Sequence, residues 1–171
     1  MIQLEPFTKN DFAQLIAWVD TEEQLMQFAG PLLHFPLRAA QLEIYIKEKR
    51  RYAFKVVHLS TNNNIGHAEI YLSNKNVASL CRILIGDPAL RGKGYGYQVL
   101  KQLLTISFTQ LNVQKAMLNV FDWNTSAIRC YEKAGFSIDE TNTQQREVNG
   151  KKWTAMNMTL NKSLWLNRTP V

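Results

Sequence analysis

A glycine-rich segment between a predicted strand and a predicted long helix constrains this chain more than any other feature of its sequence. The segment, DPALRGKGYG, runs from Asp87 to Gly96 and ends in three glycines that alternate with other residues. Glycine lets the backbone turn tightly and present successive N–H groups to an anion, and the positive end of a helix dipole favours the same occupant. Arg91 and Lys93 add side-chain charge suited to a pyrophosphate. The segment therefore predicts a phosphate-binding turn.

Two other kinds of phosphate loop do not fit this segment. A Walker A loop needs Gly-Lys followed by Ser or Thr, whereas Lys93 is followed by Gly94. A dinucleotide fingerprint needs G-x-G-x-x-G in a βαβ unit, but here Gly92, Gly94 and Gly96 alternate after a strand that belongs to a predicted meander. The sequence thus argues against ATP or NAD bound in those modes. A purely structural turn would not need three glycines and two flanking cations.

The N-terminal half is predicted to hold three helices followed by an antiparallel meander. After a short strand, IQLEPF, come one helix opened by a capping box of Thr8 and Asp11 and a second helix that ends at Gly30. A third helix is predicted from about Leu37 to Arg51, so that the basic run KEKRR complements the dipole at its C-terminus. Three segments rich in β-branched and aromatic residues, YAFKVVHL, IGHAEIYL and VASLCRILI, are predicted strands.

The C-terminal half alternates helices and strands around the glycine-rich segment. A long amphipathic helix is predicted after Gly96, then a buried strand, AMLNVF, and then a compact helix with Asn124 as N-cap and Gly135 as its stop. A hairpin that turns at the Asn-Gly pair 149–150 follows. Together these elements predict an α/β fold, with a mixed, mostly antiparallel sheet of about seven strands and helices on both faces.

Length and composition indicate one globular domain over residues 1–171, with a tail from about residue 161 that has no assignment. The chain is 46% hydrophobic and 20% charged, values typical of soluble proteins of this size. No apolar run approaches the roughly 20 residues that span a bilayer, and the N-terminus lacks a signal-peptide pattern, so we expect a cytoplasmic location and no membrane partner. Cys81 and Cys130 lie outside any C-x-x-C or His/Cys cluster, which predicts reduced thiols and no metal.

The net charge of +6 favours anionic partners through long-range attraction. By itself this charge does not distinguish nucleic acid from a phosphorylated cofactor. The sequence nevertheless lacks a basic stripe interleaved with exposed aromatic residues, the pattern of nucleic-acid-binding surfaces. We therefore expect no nucleic acid partner.

Two blocks of residues resemble the GNAT superfamily of acetyl-CoA-dependent N-acetyltransferases. The first block of the family is Arg or Gln, two residues, Gly, one residue, then Gly or Ala, and it is matched by Arg91, Gly94 and Gly96. The second block is matched along the compact helix by Asn124, Ala127, Tyr131, Gly135 and Phe136. The resemblance covers about residues 77–137, the expected cofactor-binding core, and implies the acyl-CoA N-acyltransferase fold. The N-terminal layout, PFTKNDF before two short helices, is similar to the ribosomal-protein N-terminal acetyltransferase branch.

The resemblance implies a binding site for acetyl-CoA as cosubstrate. Its pyrophosphate would be held near the Arg91 side chain by backbone N–H groups of Gly92, Lys93, Gly94, Tyr95 and Gly96. Family members splay the fourth and fifth strands apart to admit the pantetheine arm, which would pair here with the backbone of Ile83, Leu84 and Ile85. Asn124 would contact the arm near the start of its helix.

The reaction implied by this resemblance needs a neutral amine, a donor for the tetrahedral oxyanion and a proton for the departing thiolate. Tyr131 matches the family's general acid, since a phenol of pKa about 10 can protonate a thiolate while staying neutral at pH 7. Its other interpretation is a buried aromatic residue on an amphipathic helix. A backbone N–H near Leu84 or Ile85 would meet the oxyanion.

The general base is not fixed by this resemblance. Many relatives place a Glu on the fourth strand, but VASLCRILI contains none. Glu69 on the third strand is the carboxylate candidate, because it shares a strand face with His67 and Tyr71. The alternative is that Glu69 is an ordinary exposed strand residue.

The pKa of the acceptor amine decides how much a base matters. Forming the neutral amine at pH 7 costs about 1.4 kcal/mol for an α-amine of pKa about 7.7 to 8. The same step costs about 4.6 kcal/mol for a lysine-like amine of pKa near 10.4. A weak or water-mediated base therefore favours an N-terminal amine or another amine of low pKa. The acceptor cleft is predicted to be lined by Met26, Phe28, His34, Phe35 and Trp153.

The predicted function is transfer of an acetyl group from acetyl-CoA to a primary amine, on a protein N-terminus or a small molecule, by direct attack in a ternary complex. The alternative is a module of the same fold that binds acyl-CoA as a sensor or interaction partner without turnover. The sequence leaves the acceptor and homodimerisation open.

Overall fold

A single sheet of seven strands organises the computed structural model, which describes residues 1–168. The strands are β1 (Ile2–Pro6), β2 (Arg51–His58), β3 (Asn63–Asn74), β4 (Val77–Ile85), β5 (Lys115–Phe121), β6 (Ser137–Val148) and β7 (Lys151–Asn161). Their order across the sheet is β1-β2-β3-β4-β5-β7-β6. Every neighbouring pair is antiparallel except β4 and β5, which are parallel. The predicted mixed, mostly antiparallel sheet is confirmed.

Helices cover both faces of the sheet, as predicted. They are α1 (Phe12–Ala17), α2 (Glu22–Ala29), α3 (Ala39–Tyr45), α4 (Tyr95–Thr105), α5 (Thr125–Ala134) and α6 (Lys162–Arg168). The first three enclose one hydrophobic cluster, against residues such as Phe7 and Leu84. The last three pack on a second cluster, which includes Ile70 and Leu118 on the other face. The sheet therefore separates a face covered by α1–α3 from a face covered by α4–α6.

The helix α4 supplies much of the second cluster. Its apolar side chains recur at helical spacing and are almost completely buried: Val99, Leu100, Leu103 and Leu104. The helix continues as one π-helical turn, Ile106–Gln110, which keeps Phe108 fully buried. Trp165 of α6 packs against Phe108 with ring centroids 5.2 Å apart.

Three features that were predicted to begin or end helices and strands are present in the structure. The Asp11 carboxylate accepts hydrogen bonds from the Thr8 N–H (2.8 Å) and hydroxyl (3.0 Å), completing the predicted capping box. The helix α5 ends at Gly135, whose φ of 106° is left-handed. Asn149 and Gly150 have φ values of 49° and 73°, the backbone that a tight β6–β7 hairpin turn requires.

The structure corrects one prediction and assigns one segment that the sequence left open. The third helix ends at Tyr45 instead of Arg51, because Arg51 begins β2 and its side chain, only 7% exposed, pairs with a buried carboxylate of β3. The run KEKRR is therefore not a charged helix C-terminus. The tail, which the sequence left unassigned, forms α6 up to Arg168, and its last three residues lie outside the described residues. No helix within residues 1–168 is long and apolar enough to cross a membrane.

A close approach at Gly86 generates a stability prediction. A Cβ atom on Gly86 would lie 2.1 Å from the indole ring of Trp18, so the end of β4 and the segment after α1 fit together only with glycine here. We expect Gly86→Ala to lower the free energy of unfolding by about 1–3 kcal/mol, measured by urea denaturation. Gly96→Ala is the control: a Cβ on this helical glycine meets no atom of residues 1–168 within 4 Å, so this variant should be as stable as the parent or slightly more so.

Candidate active site

The parallel strands β4 and β5 pair only at their beginnings. Three residue pairs join them, the last being Ser79 with Met117. Within the described chain no strand pairs with residues 80–85 on the side that faces β5. Backbone N–H and C=O groups on that edge are thus free to bind an extended ligand, as an added strand would.

A β-bulge accompanies this divergence. The pairing of β3 with β4 shifts register between His67 and Glu69, where Arg82 takes a left-handed φ of 49°. The Arg82 carbonyl accepts a hydrogen bond from Nδ1 of His67 at 3.1 Å. His67 is fully buried, and this burial lowers its pKa to about 4, so the ring stays neutral at pH 7. The bulge is therefore held by a neutral, buried hydrogen-bond donor.

The glycine-rich segment forms an open turn between β4 and α4. Gly92 and Gly94 have φ values of 73° and 82°, and Gly94 is the N-cap of α4. A Cβ at either glycine, or at Gly96, would meet no atom of the described residues within 4 Å, so the turn borders open space. The Arg91 side chain is not free: it donates from Nε to the Ile85 carbonyl (2.9 Å) and from Nη2 to the carbonyl of the next residue (3.1 Å). Arg91 therefore ties the turn to the end of β4.

A cavity of about 980 Å³ lies where β4 and β5 part. Its lining comes from both faces of the sheet: α2 on one face, and the glycine-rich turn, α4 and α5 on the other. A volume of this size is typical of sites for small ligands and cofactors. The cavity thus joins the two faces of the sheet through the gap between the strands.

The helix α5 places Tyr131 at this gap. The Asn124 side chain caps the helix by accepting from the Ala127 N–H at 3.3 Å, and Tyr131 lies two turns further on. Its ring packs edge-on to Phe136, with centroids 6.4 Å apart. Burial raises the pKa of the Tyr131 phenol above its ordinary value, so the hydroxyl remains protonated at neutral pH.

Both cysteines lie beside Tyr131 in the cavity lining and both are free thiols. Burial raises the pKa of Cys81 to about 12 and also raises that of Cys130. A thiol with so high a pKa is a poor nucleophile at neutral pH. Within residues 1–168, no group of three or more His, Cys, Asp or Glu side chains is arranged to hold a metal ion.

Glu69 lies at the centre of a buried ionic cluster. It is fully buried, so it is not the exposed strand residue that the sequence allowed. Nη1 of Arg51 lies 2.5 Å from Glu69 Oε1, and Nε of Arg82 lies 2.9 Å from Oε2. The Tyr45 hydroxyl donates a short hydrogen bond to the same Oε2. Both carboxylate oxygens are therefore engaged, and Glu69 is not part of the cavity lining.

Most of the cofactor-binding residues predicted from the sequence line this one cavity. They are Ile83, Leu84, Ile85, Arg91, Gly92, Gly94, Tyr95, Gly96 and Asn124, together with the predicted acid Tyr131. The Lys93 side chain lies outside the lining. Of the predicted acceptor residues, Met26 and Phe28 line the cavity, whereas His34 and Phe35 line a smaller neighbouring one. Trp153 packs against Phe121, with ring centroids 4.9 Å apart.

Several polar residues of the cavity were not predicted. They are Gln24, Gln27, Arg82, Asn119, Gln144 and Arg146. Two of them carried a signal, since Arg82 interrupts the apolar strand VASLCRILI and Asn119 interrupts AMLNVF. A polar side chain in a buried strand needs a partner or a ligand, which singles it out. The others, on α2 and β6, enter through tertiary packing that their local sequence does not encode.

Comparison with known proteins identifies the family of this chain and several of its relatives. The chain matches the family described as Acetyltransferase (GNAT) domain over residues 2–137. Spermidine N(1)-acetyltransferase of Vibrio cholerae is 30% identical over 126 residues, which cover 74% of this chain and 71% of the relative. The prophage-derived uncharacterized N-acetyltransferase YokL of Bacillus subtilis is 28% identical over 106 residues. That match covers 61% of this chain and 60% of YokL, less than two thirds of the relative's length.

A solved structure of Vibrio cholerae spermidine N-acetyltransferase in complex with CoA and spermine superimposes with a TM-score of 0.82. It is 25% identical, and the match covers 97% of this chain and 98% of that one. The mixed seven-stranded sheet of this chain matches the fold of that acetyltransferase. The chain belongs to the GNAT acetyltransferase family and is an N-acetyltransferase.

The ionic cluster generates a prediction about Glu69. Glu69→Gln leaves two largely buried guanidinium groups without their carboxylate, so the free energy of unfolding should fall by about 3–5 kcal/mol in urea denaturation. Glu43→Gln is the matched control, because Glu43 pairs with Lys9 at the surface and should cost at most about 1 kcal/mol. Equal effects of the two substitutions would contradict the buried cluster.

Proposed function

We propose that this N-acetyltransferase moves the acetyl group of acetyl-CoA directly onto a primary amine, with both substrates bound in the cavity between β4 and β5. The observation that carries the proposal is the meeting of three features in one cavity: an unpaired edge of β4, an open glycine turn and a protonated tyrosine. The first two suit an extended arm ending in a pyrophosphate. The protonated tyrosine can donate its proton to the departing thiolate.

Acetyl-CoA fits the residues present. The turn at Gly92 and Gly94 has open space where side chains would otherwise stand, and the N-terminus of α4 adds positive potential for phosphate oxygens. Those backbone groups of residues 80–85 that face β5 and are not already bonded, unlike the Ile85 carbonyl, can pair with the amides of the pantetheine arm. A backbone N–H at Leu84 or Ile85 is our candidate donor to the oxyanion.

The chemistry requires one proton to be supplied and one to be removed. The amine nitrogen attacks the thioester carbonyl carbon, the C–S bond breaks as the tetrahedral intermediate collapses, and Tyr131 protonates the thiolate. The nitrogen loses its surplus proton to water, and Tyr131 regains a proton from solvent. The products are an acetylated amine and CoA, with no covalent enzyme intermediate.

We do not assign Glu69 as the base, although its sequence position suggested that role. Its oxygens are already bound by two guanidinium groups and the Tyr45 hydroxyl, and it would have to lose these contacts to take a proton. We propose instead that Glu69 positions Arg82 at the cavity. A water-mediated route for the amine proton then suits an acceptor of low pKa.

Replacing Tyr131 by Phe tests the general acid. Tyr131→Phe should lower kcat by about 10²–10⁴-fold, because the thiolate would leave without its proton donor, while the Kd for CoA stays unchanged. Steady-state kinetics and calorimetry measure the two quantities. Tyr52→Phe, at an exposed position on β2, is the control and should leave kcat unchanged. An acyl-CoA sensor would bind CoA but show no amine-dependent turnover in the parent protein.

Replacing Gly94 tests the pyrophosphate turn. Valine is strongly disfavoured at the φ of 82° that Gly94 adopts, so Gly94→Val should weaken CoA binding by about tenfold or more in calorimetry. Lys93→Gln is the control, since the Lys93 side chain lies outside the cavity lining and only a small, salt-dependent loss is expected. Unchanged affinity in the valine variant would rule out this turn as the phosphate site.

A further inference from the structure

Among the described residues, those that line the cavity include several cations and no carboxylate. Within residues 1–168, the charged side chains of its lining are Arg82, Arg91, Arg129, Lys133 and Arg146. No Asp or Glu of the described chain is among the lining residues. An acetyltransferase that selects a polycationic amine would be expected to present negative charge to it. This cavity presents the opposite sign.

The cations divide between the two faces of the sheet. Arg91, Arg129 and Lys133 lie on the glycine-rich turn and α5, on the side proposed for the CoA phosphates. Arg146 lies on the other face of the sheet, the one covered by α1–α3. It is opposite Trp153 in the β6–β7 pairing. Its side chain is on the same side of β6 as that of Gln144, which also lines the cavity. Arg82 reaches the same face, where its guanidinium meets Glu69. Two cations therefore remain on the side open to the acceptor.

Arg146 has hydrogen-bonding capacity left for a ligand. Its Nη1 donates to the Gln145 carbonyl at 3.2 Å, and its Nη2 donates to the Gln144 side-chain oxygen. A guanidinium group has five N–H donors in a fixed plane, a geometry that suits a carboxylate. The remaining polar side chains on this face, such as Gln24, Gln27 and Asn119, are neutral.

The carboxylates of Glu69, Glu23 and Glu22 do not offset these charges, since none of them lines the cavity. Glu69 is enclosed by Arg51 and Arg82, so this cluster carries one surplus positive charge. Glu23 accepts a hydrogen bond from Asn149 at 2.5 Å and does not line the cavity. Glu22 lines the smaller cavity of about 230 Å³ that adjoins α2. The acceptor side of the main cavity thus keeps its positive character.

We propose that the acceptor is a primary amine in a molecule that also carries a carboxylate, which Arg146 binds with support from Arg82. The proposal rests on the proposed function and names its substrate class. A polycationic amine such as spermidine would meet like charge, and no carboxylate from the lining residues that the structure describes, so it should be a poor acceptor. The relative named for acting on spermidine is only 30% identical to this chain, so the residues that face the acceptor can differ between the two proteins.

The first experiment compares acceptors of opposite charge on the parent enzyme. Initial rates with acetyl-CoA are measured for four amines: aspartate, a tetrapeptide with a free N-terminus followed by acidic residues, the same tetrapeptide with lysines in their place, and spermidine. We expect kcat/KM for at least one acidic acceptor to exceed those of the lysine peptide and spermidine by about tenfold or more. Aspartate and the acidic peptide distinguish a small-molecule acceptor from a protein N-terminus.

The second experiment tests Arg146 directly. Arg146→Gln should raise KM for the preferred acidic acceptor by about tenfold, with kcat within about twofold of the parent value and CoA affinity unchanged. Arg146→Glu should reduce the preference for acidic acceptors further. Lys152→Gln removes the same charge from the neighbouring strand at a position outside the cavity, and KM should not change. Melting temperatures verify that all three variants are folded.

The outcomes separate this inference from the proposed function. A higher kcat/KM for spermidine or the lysine peptide, an unchanged KM in Arg146→Gln, or no turnover with the acidic acceptors would each overturn the inference. If CoA binds and some other amine is acetylated, the proposed function still stands. If the parent enzyme neither binds CoA nor acetylates any amine, both are overturned.

Discussion

The parting of β4 from β5 is the constraint on which the rest of this structure depends. The two strands share three residue pairs and then separate, so one strand edge in the middle of the sheet has no partner strand within residues 1–168. Unpaired backbone groups inside a protein are costly unless water or a ligand satisfies them. The gap is therefore best understood as a place for a ligand that completes the hydrogen bonding of β4.

The gap is maintained from the β3 side. The bulge at Arg82 displaces the end of β4, and three contacts hold it: His67 on the Arg82 carbonyl, Glu69 on its guanidinium, and Tyr45 on Glu69. An ionic cluster buried in this way contributes little net stability, because desolvation offsets the attraction between the charges. Its effect is to fix the position of a strand end and of one cation at the cavity wall.

Much of the fold could be predicted from local sequence. The glycine turn, the Asn124 N-cap, the Gly135 stop and the Asn-Gly hairpin each depend on backbone conformations that few residue types adopt, so the sequence marks them directly. The end of α3 and the existence of α6 could not be predicted in this way. Arg51 leaves the helical pattern because of a carboxylate on another strand, and α6 is stabilised by packing of Trp165 on Phe108.

The candidate site also contains a part set by local sequence and a part set by tertiary contacts. The residues that we propose face the cofactor could be predicted from the sequence, since a glycine turn and a capped helix with Tyr131 are local motifs whose residues follow one another along the chain. The residues that we propose face the acceptor could not be predicted in this way, because Arg82, Asn119 and Arg146 come from three different strands that meet only in the folded chain. Only the tertiary structure decided that Glu69 is enclosed by arginines, because burial and ion pairing depend on which distant segments fold over a residue.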